Sequence, residues 1–253
     1  MPRPGRRIKR NTLVLGHRGY RARFPENTLL AFHAALSGGA DGIECDLQKS
    51  ADGHYVVIHD PWTGRVAGAR QEVAESSLAE LQALDFGRGE RLPVLDAVLK
   101  ALPAEAYLDL ELKEETIREP DAPLIAAILD AHRTRELLMI SSFSPALLVP
   151  FRRMGFTVGL LVGEEAAARG LVQFSKALMC LRPQFLNLPV DALHILGQSR
   201  ALLLFRVLRA LGFSLLFWTV NSAREASVLA RHARMIVTDE VEEIVAAMRM
   251  NGR

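Results

Sequence analysis

The chain has 253 residues, 49% of them apolar and 24% charged, with a formal net charge of +2. That length holds one substantial core or two small ones, and the composition is that of an ordinary globular chain. Aromatic content is only 6% and the basic excess is concentrated in the opening "PRPGRRIKR", so neither the stacking platforms nor the basic stripe of a nucleic-acid binder is expected.

The opening, residues 1–11, reads as a basic tail and lacks the apolar segment of a signal peptide, which points to the cytoplasm. "TLVLGH" (12–17) follows as a short strand. "ENTLLAFHAALSGGA" is a helix with Asn27 or Thr28 as N-cap and paired glycines as its stop. "GIECDLQKSADGHYVVIHD" (42–60) reads as two strands around an Asp-Gly turn. A variable stretch, 60–92, is an insertion in which "SSLAELQAL" has helical spacing, as does "VLDAVLKAL" just after it. Further strand-like runs lie at 106–112, 136–143, 156–162, 185–190, 214–220 and 234–239. Helical patterns separate them: "APLIAAILDAH", "PALLVPFRRM", "EEAAARGLVQFSKALM", "RALLLFRVLRAL" and "AREASVLARHA". No Gly-, Pro- or Ser-rich linker interrupts the series, so 12–253 reads as one domain. The longest apolar run, "ALLLFRVLRALGFSLLFWTV", is broken by Arg206, Arg209 and Gly212. It suits a helix followed by a buried strand and is a poor membrane span, so no stable membrane insertion is expected. Nothing in the pattern sets an oligomeric state.

Alternating strands and helices predict a parallel sheet with helical cover. Parallel neighbours need a crossover of about a dozen residues. The strands at 42–48 and 54–59 are too close for that and must be antiparallel, one of them a hairpin arm. Setting it aside leaves eight parallel strands, the number of an α/β fold of the (β/α)8 TIM-barrel type, with a short β-hairpin arm after the second strand. A doubly wound open sheet is the competing architecture. In a barrel, functional groups gather where strands end. These ends carry Gly16-His17-Arg18, Glu44 and Asp46, Glu111 and Lys113, Ser141-Ser142, Trp218-Thr219, and Thr238-Asp239.

Glu44 and Asp46 share one strand face, with Cα atoms about 6.6 Å apart, while Ile43, Cys45 and Leu47 share the other. Two inward carboxylates this close repel unless something positive lies between them. With Glu111 from another strand they form an all-oxygen set suited to a hard divalent cation, Mg2+ or Ca2+. Whether the turn centres on Ala51-Asp52 or on Asp52-Gly53, His59 pairs on the carboxylate face; an odd-length loop turns it away. His17 reaches the same rim, and two histidines flanking a phosphoryl group supply general acid and general base. Arg18 and Lys113 are cations for a phosphoryl group. Together these residues point to hydrolysis of a phosphate ester. Trp218 reads equally well as core or as the wall of a pocket. The remaining histidines, His33, His54, His132, His194 and His232, are expected in surface or satisfied packing positions. Cys45 is expected as a core thiol facing the helices.

The blocks "GHRGYRARFPENTLLAF" (16–32), "GADGIECDLQKSADGHYVVIHD" (39–60), "LDLELK" (108–113), "SSF" (141–143), "WTVN" (218–221) and "IVTD" (236–239) resemble, in order, those of the glycerophosphodiester phosphodiesterases. The resemblance spans nearly the whole chain, and its first two blocks are the specific ones. It implies a (β/α)8 barrel and metal-dependent hydrolysis of a small-molecule glycerophosphodiester to glycerol 3-phosphate and an alcohol. By the same resemblance Glu44, Asp46 and Glu111 match metal ligands, His17 and His59 the acid–base pair, and Arg18 and Lys113 the phosphate-contacting cations. The site layout is also similar to that of phosphatidylinositol phospholipases C, which leaves two routes open: attack by the glycerol 2-hydroxyl through a cyclic phosphate, or direct attack by water. "VLD" (94–96) departs from the family's usual Thr-Leu-Glu at what reads as a helix start. Two rival readings go with this one. A lysophospholipase D-like hydrolase needs an apolar groove at the rim, drawn from Trp62, Phe86 and Trp218. A barrel that binds phosphodiesters without catalysis is expected to lack one of His17, His59, Glu44, Asp46 or Glu111, and none is missing.

Overall fold

A computed structural model of the chain describes residues 12–163 and 171–251, the side chains of 171–173 and 251 excepted. The basic tail and the first part of the helical pattern expected at 164–179 lie outside the described residues. The described residues contain nine strands: β1 (Leu13–His17), β2 (Gly42–Lys49), β3 (Tyr55–Val57), β4 (Tyr107–Leu112), β5 (Leu138–Ser142), β6 (Val158–Leu161), β7 (Phe185–Pro189), β8 (Ser214–Trp218) and β9 (Met235–Thr238). Eight are parallel and close in the order β1-β2-β4-β5-β6-β7-β8-β9, with β9 returning to β1. The ninth, β3, hangs outside the ring, antiparallel to β2. The closed eight-stranded barrel and its hairpin arm are as the strand spacing requires, and the open sheet is excluded.

Strand parity divides the molecule. Ile43, Cys45 and Leu47 point outward into the main core, packed with helix residues such as Phe32, Val98 and Leu99. Inside the barrel, Leu15, Tyr107, Met139, Phe185, Leu216 and Met235 form an apolar plug. Polar side chains therefore have only the carboxyl-terminal end of the ring left to occupy. The β2–β4 seam runs close at its foot: a Cβ on Gly42 would run into the Tyr107 carbonyl. Gly42→Ala is expected to cost about 1–3 kcal/mol or more by forcing these strands apart, read as a lowered denaturation midpoint.

The helix Leu29–Ser37 is capped by Thr28, whose hydroxyl accepts from Ala31 N at 3.2 Å, and Gly38 and Gly39 end it. Asn27, the other cap candidate, is freed for the site described below. The "VLD" stretch opens the helix Leu95–Ala101, where Asp96 holds Lys100 and His132. His232 departs from expectation: it sits in a turn after the helix Ala223–Leu229, buried beside Phe205.

The hairpin register also departs from expectation. Leu47 pairs with Val57 and Lys49 with Tyr55, closing an odd, five-residue loop. Continued, this ladder would set His59 opposite Cys45, on the helix side. The strand stops first. Ile58 N donates to the Asp46 carbonyl, Gln48 Nε2 donates to the His59 carbonyl at 2.8 Å, and the backbone bends at His59-Asp60. His59 thus reaches the barrel mouth by leaving the ladder instead of by its parity. The stretch after it packs Val73, Leu81, Phe86 and Leu92 against Val56 and Ile58 in a small core of its own.

Candidate active site

Adjacent strand ends bring the acidic residues together: Glu44 pairs with His17 across β1–β2, and Asp46 with Glu111 across β2–β4. One carboxylate oxygen from each of Glu44, Asp46 and Glu111 lies within 4.8 Å of the others. Glu44 is 6% exposed and Asp46 not at all. Burial, with the charges of Asp46 and Glu111 beside it, pushes the Glu44 carboxyl well above the usual carboxylate range. Burial likewise pushes Glu111 up to about 7, against the pull of Lys113. Asp46 goes the other way. Burial acts upward on it, but the Lys113 and Arg18 cations outweigh burial and hold it well below the usual range.

Those two cations are themselves fixed by the carboxylates. Lys113 Nζ lies 2.9 Å from Asp46 Oδ1 and 2.5 Å from Glu111 Oε1. Arg18 Nε lies 3.2 Å from Asp46 Oδ2, its NH1 donates to Glu26 Oε1 at 2.9 Å, and its backbone N donates to Glu44 Oε2 at 3.0 Å. Arg18 has φ 51 and Asn27 φ 56, left-handed values that cost a non-glycine residue on the order of 1 kcal/mol. The contacts that hold them there are those of the site: Asn27 Nδ2 donates to Asp46 Oδ2 at 2.8 Å.

Each histidine is tied down through Nδ1. His17 Nδ1 meets Asp239 Oδ1 and His59 Nδ1 meets Asp60 Oδ1, both at 2.7 Å. A carboxylate only accepts, so Nδ1 carries the hydrogen, and Nε2 is left as the ring nitrogen with a free lone pair. Burial draws the His59 imidazole below its ordinary pKa. Both aspartates are braced in turn. Asn221 donates to Asp239 at 2.9 Å, and Arg65, from the stretch after the hairpin, bonds Asp60 and Glu26.

Between these groups lies a cavity of about 310 Å3. His17, Arg18, His59, Glu44, Glu111 and Lys113 form one wall; Phe143, Leu161 and Trp218 form an apolar one. Trp218 is held by Nε1 donating to the Asn187 carbonyl at 3.1 Å and by an edge-to-face contact with Phe143. Of the three residues offered for an apolar groove, only Trp218 lines this space. Trp62 stacks on Arg70, and Phe86 is buried in the small core behind the hairpin.

Deeper in the cavity sit residues that the sequence reading passed over. Asp109, pushed up to about 7 by burial against the opposing bond from Ser141 Oγ, shares the inward face of β4 with Glu111. The alternation in "LDLEL" carries that signal. Asn187 is fully buried, and its amide oxygen and nitrogen both lack a protein partner. Glu26 and Arg65 brace the rim with no sequence signal to mark them.

The model of the Glycerophosphoryl diester phosphodiesterase family matches residues 17–243. A glycerophosphodiester phosphodiesterase of Caldanaerobacter subterraneus subsp. tengcongensis is 32% identical over 254 residues, covering 95% of this chain and 99% of its own length. The crystal structure of the Thermotoga maritima glycerophosphodiester phosphodiesterase superposes with a TM-score of 0.79 at 30% identity, over 93% of this chain and 97% of that one. An Oleispira antarctica phosphodiesterase, solved in complex with its product sn-glycerol-3-phosphate, gives a TM-score of 0.80 at 26% identity, over 94% and 96%.

Proposed function

Because the chain belongs to the glycerophosphoryl diester phosphodiesterase family, we propose that its barrel-mouth cavity hydrolyses a glycerophosphodiester to glycerol 3-phosphate and an alcohol. The observation that carries this reading is the gathering of three carboxylates within 4.8 Å of one another beside two histidines, each paired with an aspartate. The product bound by the Oleispira antarctica relative supports the choice of product.

Glu44, Asp46 and Glu111 would hold a divalent cation, Mg2+ or Ca2+. The fit rests on the all-oxygen donor set and on the burial and mutual repulsion that raise the Glu44 and Glu111 carboxyls and that a cation would relieve. When bound, the ion would neutralise charge developing on the phosphoryl oxygens. The chain's own groups do the rest. Arg18 and Lys113 add fixed positive charge at the same spot. One imidazole takes a proton at Nε2 from the attacking water or glycerol 2-hydroxyl, and the other, entering as imidazolium, gives its Nε2 proton to the departing alcohol oxygen; on the 2-hydroxyl route water then opens the cyclic phosphate with the two roles reversed. Asp239 and Asp60 keep each ring in the tautomer and orientation this requires. Trp218, with Phe143 and Leu161, offers an apolar wall for the carbon skeleton of the substrate.

Cation entry is favoured by loss of the proton from Glu111, whose carboxyl burial raises to about 7. Affinity for Mg2+ or Ca2+ is therefore expected to rise between about pH 6 and about pH 8, by roughly tenfold per pH unit for each proton displaced. Calorimetry in buffers of different ionisation enthalpy reads the released protons directly, and a pH-independent affinity would contradict a carboxylate site of this kind. The reaction itself is tested by phosphorus NMR on glycerophosphocholine and glycerophosphoethanolamine. Glycerol 3-phosphate is the expected product; choline phosphate, or no turnover of either diester, would overturn the reading.

A further inference from the structure

The helix Gln198–Ala210 covers the barrel between β7 and β8 and buries Ala201 and Phe205 against it. A barrel helix ordinarily turns a polar face outward. This one turns Leu203, Leu204 and Val207 to solvent, and Leu211 continues the stripe past its end; Leu203 is 61% exposed and Leu211 69%.

The charge around this face is mainly positive, with Asp191 and Glu225, the latter bonded to His194, as acids near it. From Leu171 to Arg224 the sequence contains a single acidic residue, Asp191, against Lys176, Arg182, Arg200, Arg206, Arg209 and Arg224. Arg206, Arg209 and Arg231 cluster about the turn that holds His232, and Arg209 donates to the Arg231 carbonyl. Among the described residues, no carboxylate is in ion-pair range of Arg200, Arg206, Arg209 or Arg231. Thr12 is pinned to the same turn, its hydroxyl donating to the carbonyls of Ala230 and Ala233.

We propose that the outer face of helix Gln198–Ala210 is a docking surface for an anionic lipid bilayer, lying in the interface with Leu203, Leu204, Val207 and Leu211 inserted and the arginines on the headgroups. A second copy of the chain would bring like charges together across the same face, whereas a negatively charged lipid surface complements them. Among the described residues no helix is long and apolar enough to cross a membrane, so the contact is with the surface only. The helix enters from the carboxyl end of β7 and leaves toward the start of β8, so its stripe runs along the flank of the barrel and leaves the catalytic mouth open to water.

Co-sedimentation of the full-length protein with vesicles tests this. The protein is expected to pellet with vesicles of equal parts phosphatidylcholine and phosphatidylglycerol and to remain in solution with phosphatidylcholine alone. Leu203→Glu with Val207→Glu lowers pelleting on the order of tenfold or more, and Arg206→Gln lowers it about fivefold. Turnover of a water-soluble diester, unchanged in these variants, certifies that they are folded. Failure to pellet with the anionic vesicles, equal pelleting with both kinds, or wild-type pelleting of the double glutamate variant would each overturn the proposal. A dimer in solution that the glutamates dissociate, with no vesicle binding, would assign the face to a second copy instead.

Discussion

His17→Ala and His59→Ala are each expected to lower kcat by roughly 10²–10⁴-fold while leaving the fold intact. Each ring's Nδ1 is committed to an aspartate, so only Nε2 remains to exchange a proton with substrate. Neither ring is part of a buried apolar cluster; the His59 side chain is 34% exposed and that of His17 12%. Truncation therefore opens a wet cavity wall and leaves the core packing alone. The aspartates offer a finer test. Asp239→Asn or Asp60→Asn preserves shape but replaces an obligate acceptor with an amide that can donate to Nδ1, favouring the wrong tautomer; a kcat loss with KM little changed is expected. Near-wild-type turnover in either alanine variant would remove that histidine from the mechanism.

The second large effect separates two carboxylates that sit on the same strand. Asp46 is ionised because Lys113 and Arg18 flank it, both buried. Asp46→Asn removes the charge and leaves two buried cations short of a partner, at an expected cost of about 3–5 kcal/mol in unfolding free energy. Glu44, in contrast, has its carboxyl raised well above the usual range by burial and by its acidic neighbours, and Glu44→Gln imitates its neutral form. Its stability without added cation is expected to stay within about 1 kcal/mol of wild type, while cation-dependent activity is lost. Denaturant titration in EDTA, set beside activity with Mg2+ or Ca2+, checks both halves. Equal destabilisation by the two substitutions would contradict the charge assignment.

Much of this site could be read from the chain because strand parity is a strict code. Glu44 and Asp46 against Ile43, Cys45 and Leu47 can face only two ways, and the helix cover decides which. Hairpin and crossover are told apart on a different ground, the length of the connection, since β2 and β3 lie too close in sequence for a parallel crossover. Turn geometry was less legible. The 50–54 loop takes its odd length from local bonds, Ser50 N to the His54 carbonyl and Ser50 Oγ to Asp52, which the Asp-Gly signal does not reveal. His59 then reaches the site through a bend that no periodicity encodes. Asn27 was hidden by chemistry that serves equally for a helix cap. Glu26 and Arg65 meet across 39 positions of sequence, and Asn187 comes from the opposite side of the barrel; such partners are set by closure of the ring and leave no local trace.

Glu44, Asp46 and Glu111 make up the cation site on which we propose that the hydrolysis depends. The most direct test of that dependence is glycerol 3-phosphate release from glycerophosphocholine by EDTA-stripped protein, followed as Mg2+ or Ca2+ is returned. Negligible release is expected after stripping, with saturable recovery on return of one of the two ions and no recovery in Glu44→Gln. Full activity of the stripped protein, or equal recovery in Glu44→Gln, would contradict the proposal.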